Sequence, residues 1–170
     1  MEQVTNDRSN KKNAYIVISV IFFVTMILTT SFILSKHDNT RHSITIEEFN
    51  EAAKESGYEL GTDSDFLEKN KDLEDISIAM DKEDDYQFEF LVFKDEEKAK
   101  EFFEIHKKNM IKKFKPQKGS NTNFGNYNNY NITTDTEYVY LTRADKTFFY
   151  ARVDKEYKAE VKAFVDKIKY

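Results

Sequence analysis

An uncharged apolar run near the start of the sequence constrains this chain more than any other feature. Residues 14–34 form 21 consecutive positions without a charged residue, Asn, Gln, Gly or Pro. As a helix rising about 1.5 Å per residue, such a run spans roughly 31 Å, close to the ~30 Å hydrocarbon core of a bilayer. A helix buried in a globular core seldom stays apolar on every side over this length. The run therefore predicts a single, uncleaved membrane-spanning helix.

A cleaved secretory signal is the competing interpretation of the same run. Signal peptides have an apolar region of about 7–15 residues, followed by small residues at the cleavage site. Here the bulky residues Phe32, Ile33 and Leu34 end the run, which favours an anchor over cleavage after Thr30. The chain contains no cysteine, so a lipid-modified cysteine is excluded as the anchor.

Basic residues on either side of the run predict its orientation. Three of them lie before it, at positions 8, 11 and 12, and two lie after it, at positions 36 and 41. The side richer in Lys and Arg tends to stay cytoplasmic. We therefore expect residues 1–13 to form a cytoplasmic head, residues 35–43 a juxtamembrane linker, and residues 44–170 a domain outside the cell membrane.

Residues 44–170 predict one α+β domain. Thr45 and Glu48 form a capping-box pattern that begins a helix ending near Gly57. Two further helices, capped by Asp95 and Asp154, carry apolar residues at helical spacing. Alternating segments predict strands over residues 76–80, 86–92, 129–135, 137–143 and 147–153, with irregular chain at 58–72 and 118–129. The predicted order is α-ββ-α-βββ-α, with one antiparallel sheet and helices mainly on one face.

Composition excludes several classes of function. The formal net charge of −5 argues against a nucleic-acid partner, because phosphate binding needs a basic surface. Without cysteine there is neither a thiolate nucleophile nor a Cys-ligated metal site. The glycines form no phosphate-binding motif, and Asp63 with Asp65 supplies only fragments of a calcium loop. We expect no catalytic residue, no cofactor and no metal.

The positions of the three histidines also favour the absence of a catalytic or metal site. His37 and His42 lie in the polar linker, where exposed histidines are usually solvated, with metal binding or a pH response as the weaker alternative. His106 shares a helical face with Phe102 and Met110, which predicts a packed histidine at the edge of the core. No G-x-S-x-G elbow accompanies it to favour nucleophilic catalysis.

Two segments remain as candidate contact sites. One is a locally basic cluster near the end of the middle helix, suited to lipid headgroups or an anionic wall polymer; it consists of Lys107, Lys108, Lys112, Lys113, Lys115 and Lys118. Lysines at a helix C-terminus also complement the macrodipole, which is the ordinary alternative. The other segment holds Tyr127 and Tyr130 among asparagines. Aromatic rings beside amides can bind a sugar or a peptide, although a polar loop running into an edge strand would have the same composition.

Three segments together resemble a group of small extracytoplasmic domains from low-GC Gram-positive bacteria. They are EEFNEAAKESGYEL, YQFEFLVFKDEEKAKEFF and the closing YARVDKEYKAEVKAFVDKIKY. Members of this group follow a transmembrane helix or a lipobox, and this chain departs from the lipobox form because it lacks cysteine. The resemblance covers roughly residues 44–170 and implies a location at the bacterial cell envelope. It implies no activity.

Three functions are consistent with these observations. The first is a membrane-tethered, non-enzymatic binding module outside the membrane, whose ligand is a protein partner or a wall polymer. The second is a small single-pass component of a signalling or envelope assembly. The third is an envelope hydrolase using carboxylates that the chain order does not reveal. The absence of a catalytic constellation favours the first.

Overall fold

The computed structural model describes residues 41–83, 85–114 and 118–170. The predicted head, the predicted membrane-spanning helix and residues 35–40 of the predicted linker lie outside the described residues. Within the described part, no helix is long and apolar enough to cross a membrane. No described helix thus supports the predicted membrane span, and the predicted five-stranded domain is corrected to an α+β domain with a seven-stranded sheet.

The described residues form one antiparallel sheet and four α-helices. The strands are β1 (Glu59–Gly61), β2 (Leu73–Met80), β3 (Gln87–Phe93), β4 (Lys118–Phe124), β5 (Tyr127–Thr133), β6 (Glu137–Ala144) and β7 (Thr147–Asp154). Their order across the sheet is β1-β2-β3-β7-β6-β5-β4. The helices are α1 (Ile46–Glu55), α2 (Ser64–Lys69), α3 (Glu96–Lys113) and α4 (Lys158–Lys167), with a 3-10 turn (Lys155–Tyr157) before α4. The short β1 and the polar β4 are thus the two sheet edges.

Helix α1 begins as predicted. The Thr45 hydroxyl accepts a hydrogen bond from the Glu48 backbone N–H at 3.2 Å, and the Glu48 carboxylate accepts one from the Thr45 backbone N–H at 2.7 Å. These two bonds satisfy backbone donors that a helix start leaves unpaired. The helix ends before Gly57, whose φ of +87° is readily adopted only by glycine. The predicted capping box is confirmed.

Apolar side chains cover both faces of the sheet. On the first face, α1 and α4 pack on a cluster that includes Phe88, Phe90 and Phe149. On the second face, α2 and α3 pack on a cluster that includes Leu91 and Phe148. The prediction of helices mainly on one face is wrong. The signal against it is the near-continuous burial of β3, which is typical of strands covered on both sides.

Two strands and one helix lie in segments predicted as irregular. β1 and α2 fall within residues 58–72, and β4 with the start of β5 falls within residues 118–129. β4 pairs with β5 along all seven of its residues, yet most of its side chains are exposed. Because an edge strand of this kind buries little, its sequence shows no apolar alternation. The Gly125-Asn126 turn between the two strands is the hairpin signal that the prediction missed.

The last helix begins later than predicted. Asp154 precedes the 3-10 turn and makes no side-chain cap. Instead, the Lys155 backbone N–H donates to the Thr136 carbonyl at 2.7 Å. The turn after β5 thus accepts the first N–H of the 3-10 turn, and α4 starts at Lys158.

Candidate ligand-binding cleft

The outer strands β4, β5 and β6 form the floor of a cleft, and helix α4 forms its wall. The floor consists of hydroxyl, amide and phenol side chains, namely Ser120, Thr122, Tyr127, Asn129, Asn131, Tyr138 and Tyr140. The wall contributes Lys162, Val165 and Asp166. The cleft has a volume of about 440 Å³, within the ~300–1,000 Å³ range of small-molecule sites.

Strand register brings these floor residues together. Thr122 of β4 lies directly opposite Asn129 of β5, and Asn131 lies opposite both Ser120 on one side and Tyr140 on the other. Directly opposed residues of antiparallel strands project to the same face. Since side chains alternate along a strand, Asn129, Asn131 and Tyr127 all project to the first face. The cleft is therefore a consequence of the β4-β5 hairpin.

Two buried polar groups in the cleft lack a hydrogen-bond partner. By distance and angle, neither the Asn129 amide nitrogen nor the Tyr138 hydroxyl makes a hydrogen bond within the described residues, although Asn129 is only 7% exposed and Tyr138 is fully buried. The Asn129 amide does lie near enough to the Tyr140 phenol to lower the pKa of that phenol in part. The amide oxygen of Asn129 is occupied, because it accepts a bond from the Asn131 amide at 3.2 Å. Such orphaned groups cost roughly 1–3 kcal/mol each and are rare in folded proteins. Their meeting in one cleft marks it as the candidate site.

The phenols of Tyr138 and Tyr140 are neutral at ordinary pH. Burial raises the pKa of Tyr138 to about 12. Burial, and after it the nearby Tyr127 phenol, also raises the pKa of Tyr140. A neutral phenol can both donate and accept a hydrogen bond. The cleft therefore presents O–H groups to a ligand and not a phenolate nucleophile.

The two tyrosines predicted as ligand contacts lie on opposite faces of the sheet. Tyr127 lines the cleft, and the Arg41 guanidinium lies 5.1 Å from its ring centroid. Tyr130 is buried in the cluster on the second face. The odd spacing of the two positions along β5 causes this separation, because strand side chains alternate. Only Tyr127 is placed to contact a ligand in the cleft.

The six predicted lysines also separate. Lys107, Lys108, Lys112 and Lys113 lie on α3 on the second face, Lys118 begins β4, and Lys115 lies outside the described residues. The Lys107 ammonium lies 5.8 Å from the Tyr130 ring centroid and 4.0 Å from the Glu104 carboxylate. This lysine therefore packs against the domain's own aromatic and acidic groups. The candidate anion-binding role of the α3 lysines stays a prediction.

His106 packs against the second face, away from the cleft. Its ring stacks on Phe102 with centroids 3.9 Å apart, and its Nδ1–H donates to the Phe102 carbonyl at 2.9 Å. Burial lowers the pKa of His106, and the backbone hydrogen bond opposes that shift only in part. The predicted position of His106 at the edge of the core is confirmed.

We expect His106 to make stability depend on pH. Its pKa is lower in the folded state than in the unfolded chain, where it is about 6.5, so the unfolded state binds more protons in this range. The stabilisation is complete above pH ~6.5 and is lost as the pH falls through the lowered folded-state pKa. Urea unfolding from pH 8.5 to pH 5 should show a steeper acid loss in the wild type than in His106→Gln. Above pH 7.5, the free energies of unfolding of the two proteins should change in parallel with pH. If they also stay parallel below pH 6.5, the expectation is contradicted.

Sequence reasoning found only part of the cleft. It offered the amides of residues 123–131, which include Asn129 and Asn131, beside Tyr127 and Tyr130, but it assigned no binding role to Tyr138 and Tyr140, which stand two apart within a predicted strand. The period-two spacing of Tyr127, Asn129 and Asn131 was the available signal. It was hidden because residues 118–129 were predicted as loop. Within the described residues, no group of three or more His, Asp or Glu side chains is placed to hold a metal ion.

No family model matches this sequence, and no curated protein matches it. Among solved structures, the chain is similar to the crystal structure of a GTP binding regulator from Thermotoga maritima. The two share 14% sequence identity with a TM-score of 0.43, over 76% of this chain and 88% of that chain. So weak a likeness carries no argument about fold or function.

Proposed function

We propose that this domain is a non-enzymatic binding module that holds a polar, hydroxyl-bearing small molecule in the cleft of β4, β5, β6 and α4. The observation that carries the proposal is the pair of unpartnered buried groups, Asn129 Nδ2 and the Tyr138 hydroxyl, in one cleft. A ligand hydroxyl accepts from the amide and either accepts from or donates to the phenol. Binding therefore recovers hydrogen bonds that the free protein lacks.

The rest of the cleft suits the same class of ligand. Ser120, Thr122 and Asn131 add hydroxyl and amide groups along the floor. Tyr140, with 8% of its surface exposed, adds an aromatic ring that combines apolar area with a polar tip. A sugar or polyol has the matching combination of C–H surface and closely spaced hydroxyls.

Three features support binding over catalysis. The neutral phenols are poor nucleophiles, since a hydroxyl nucleophile needs an adjacent base. His106 lies on the other face of the sheet, hydrogen-bonded to a backbone carbonyl. The cleft carboxylate, Asp166, is exposed on α4, and no second carboxylate stands with it among the described lining residues to form an acid/base pair. The predicted location of the domain outside a membrane stays a prediction.

Replacing Tyr138 with Phe separates a binding role from a structural one. The variant loses one unpartnered buried hydroxyl, so we expect the ligand-free protein to gain about 1–2 kcal/mol in unfolding free energy, within the range for an orphaned group. A ligand held by that hydroxyl should bind the variant about tenfold more weakly. Isothermal titration of the full chain with a panel of monosaccharides, disaccharides and polyols measures the second effect. Thermal unfolding measures the first.

Tyr150→Phe is the matched control, since Tyr150 packs on the second face. It should leave ligand affinity unchanged. If Tyr138→Phe destabilises the protein, its hydroxyl has an internal role and the central observation fails. If ligands bind wild type and Tyr138→Phe alike, or none of the panel binds, the cleft is not a site for hydroxyl-bearing molecules.

A further inference from the structure

Four lysines lie close to one another beside the cleft, and one of them, Lys162, lines it. Lys118 begins β4, Lys155 lies in the 3-10 turn, and Lys158 and Lys162 lie one turn apart on α4. We call these four residues the cleft lysines. On a chain with a net negative charge, they form a local concentration of positive charge.

Lys158 connects these cations to the unpartnered phenol. Its ammonium lies 4.9 Å from the centroid of the Tyr138 ring and donates to the Thr133 hydroxyl at 2.9 Å. Burial lowers the pKa of Lys158, and repulsion from Lys162, Lys118 and Lys155 lowers it further. An anion entering the cleft would relieve that repulsion.

Acidic residues of the same segment mostly face elsewhere. The charge of Glu160 lies near enough to Tyr58 and Tyr86 to help raise their pKa. Glu156 has the same effect on Tyr157. These three tyrosines lie on the side of the domain away from β4. Asp166 is the acidic residue that lines the cleft. It lies one turn beyond Lys162 and two turns beyond Lys158 on α4, so it borders the cleft beside Lys162 and farther from Lys158.

We propose that the ligand of this cleft is a phosphate ester of a sugar or polyol, whose hydroxyls bind Asn129 and Tyr138 while its phosphate lies against Lys158 and Lys162. The inference rests on the proposed function and names its ligand class. A phosphate group carries close to two negative charges at neutral pH and three strong acceptor oxygens. Lysine ammonium groups bind it as mobile point charges. A neutral sugar would bring no negative charge to the cleft lysines.

The test is a titration of the full chain with matched neutral and phosphorylated probes. Glucose is compared with glucose 6-phosphate, glycerol with glycerol 3-phosphate, and inorganic phosphate serves as the bare anion. Poly(glycerol phosphate) extends the series, because tighter binding per phosphate than for the monomer would identify a polymer as the source. We expect each ester to bind about tenfold or more tightly than its neutral partner, with affinity falling as salt rises.

Two double variants locate the charge effect. Lys158→Gln with Lys162→Gln removes two of the cleft lysines, and ester affinity should fall about tenfold or more. Lys108→Gln with Lys112→Gln makes the same charge change on exposed positions of α3, on the other face of the sheet. This control should change ester affinity by less than about threefold, since separated surface charges are screened.

The outcomes separate this inference from the proposed function. Esters and neutral sugars that bind equally well, and lose affinity together in Tyr138→Phe, would overturn the phosphate inference and leave the proposed function standing. Inorganic phosphate that binds as tightly as the esters would show a simple anion site and overturn the inference. Esters whose affinity survives Tyr138→Phe, or a complete absence of binding, would overturn both.

Discussion

Replacing Phe49 with Ala should lower the free energy of unfolding by about 3–5 kcal/mol. Phe49 is fully buried and stacks on Phe90 of β3 with ring centroids 4.8 Å apart. Its ring also meets the edge of Phe164 of α4 at 5.5 Å. The side chain therefore joins α1, the sheet and α4. Its removal takes away buried area and leaves a cavity among rigid rings that collapse poorly.

Urea unfolding measures the loss in free energy, with one dependence on urea concentration (the m-value) fitted to all variants. Phe49→Leu keeps a branched apolar side chain and leaves a smaller cavity, so it should cost less than Phe49→Ala. Ile105→Ala removes an apolar side chain that is 50% exposed and should stay within about 0.5 kcal/mol. A cost for Phe49→Ala no larger than that for Ile105→Ala would show that the cluster on the first face is not a packed core.

Replacing Arg143 with Met should cost about 2–4 kcal/mol. The Arg143 side chain is 1% exposed. Its Nε–H donates to the Asn128 amide oxygen at 2.7 Å, and its Nη1 donates to the Glu96 carboxylate at 3.0 Å and to the Asp145 carbonyl at 2.9 Å. Glu96 is the first residue of α3, so this guanidinium ties the start of that helix to the sheet.

The cost arises from the acceptors that remain. Met fills a similar space, but Asn128 is itself 1% exposed, and its amide oxygen would lose a charged donor. Removing one partner of a buried polar network leaves the others unsatisfied. Glu96 is 55% exposed in its side chain and recovers water, which limits the loss.

Arg152→Met is the matched control for this substitution. Arg152 is exposed and pairs with Glu137, and exposed pairs contribute about 1 kcal/mol or less. Chemical denaturation of both variants under one condition compares them directly. Equal costs for the two arginines would mean that the buried network around Arg143 does not stabilise the fold.

Both proposals depend on polar groups that destabilise the ligand-free domain. Phe49 and Arg143 stabilise the domain, whereas the unpartnered groups Asn129 Nδ2 and Tyr138 hydroxyl destabilise it in the free state. Binding sites commonly retain such costs because the ligand supplies the missing partners. If Arg143→Met lowers the free energy of unfolding and Tyr138→Phe raises it, one sheet contains both stabilising and destabilising polar groups.

Local patterns predicted the elements that bury an apolar stripe. The capping box at Thr45 and Glu48, the hairpin of β2 and β3, and the hairpin of β6 and β7 all follow from residues a few positions apart. The alternation within a strand states which side chains share a face. It does not state whether a helix covers that face, and for this reason the second helical layer was not predicted.

What the sequence by itself determined was the α+β class of the domain, the start of α1, the two apolar hairpins and the packed position of His106. Only the tertiary structure decided that the polar segment around β4 is a paired edge strand, because an exposed edge strand lacks the burial pattern that marks other strands. The cleft forms because β4 pairs with β5. Whether Asn129 and Tyr138 find hydrogen-bond partners depends on all the atoms around them. Long-range pairing brings those atoms together from β4, β5, β6 and α4, so no local pattern in the chain encodes the result.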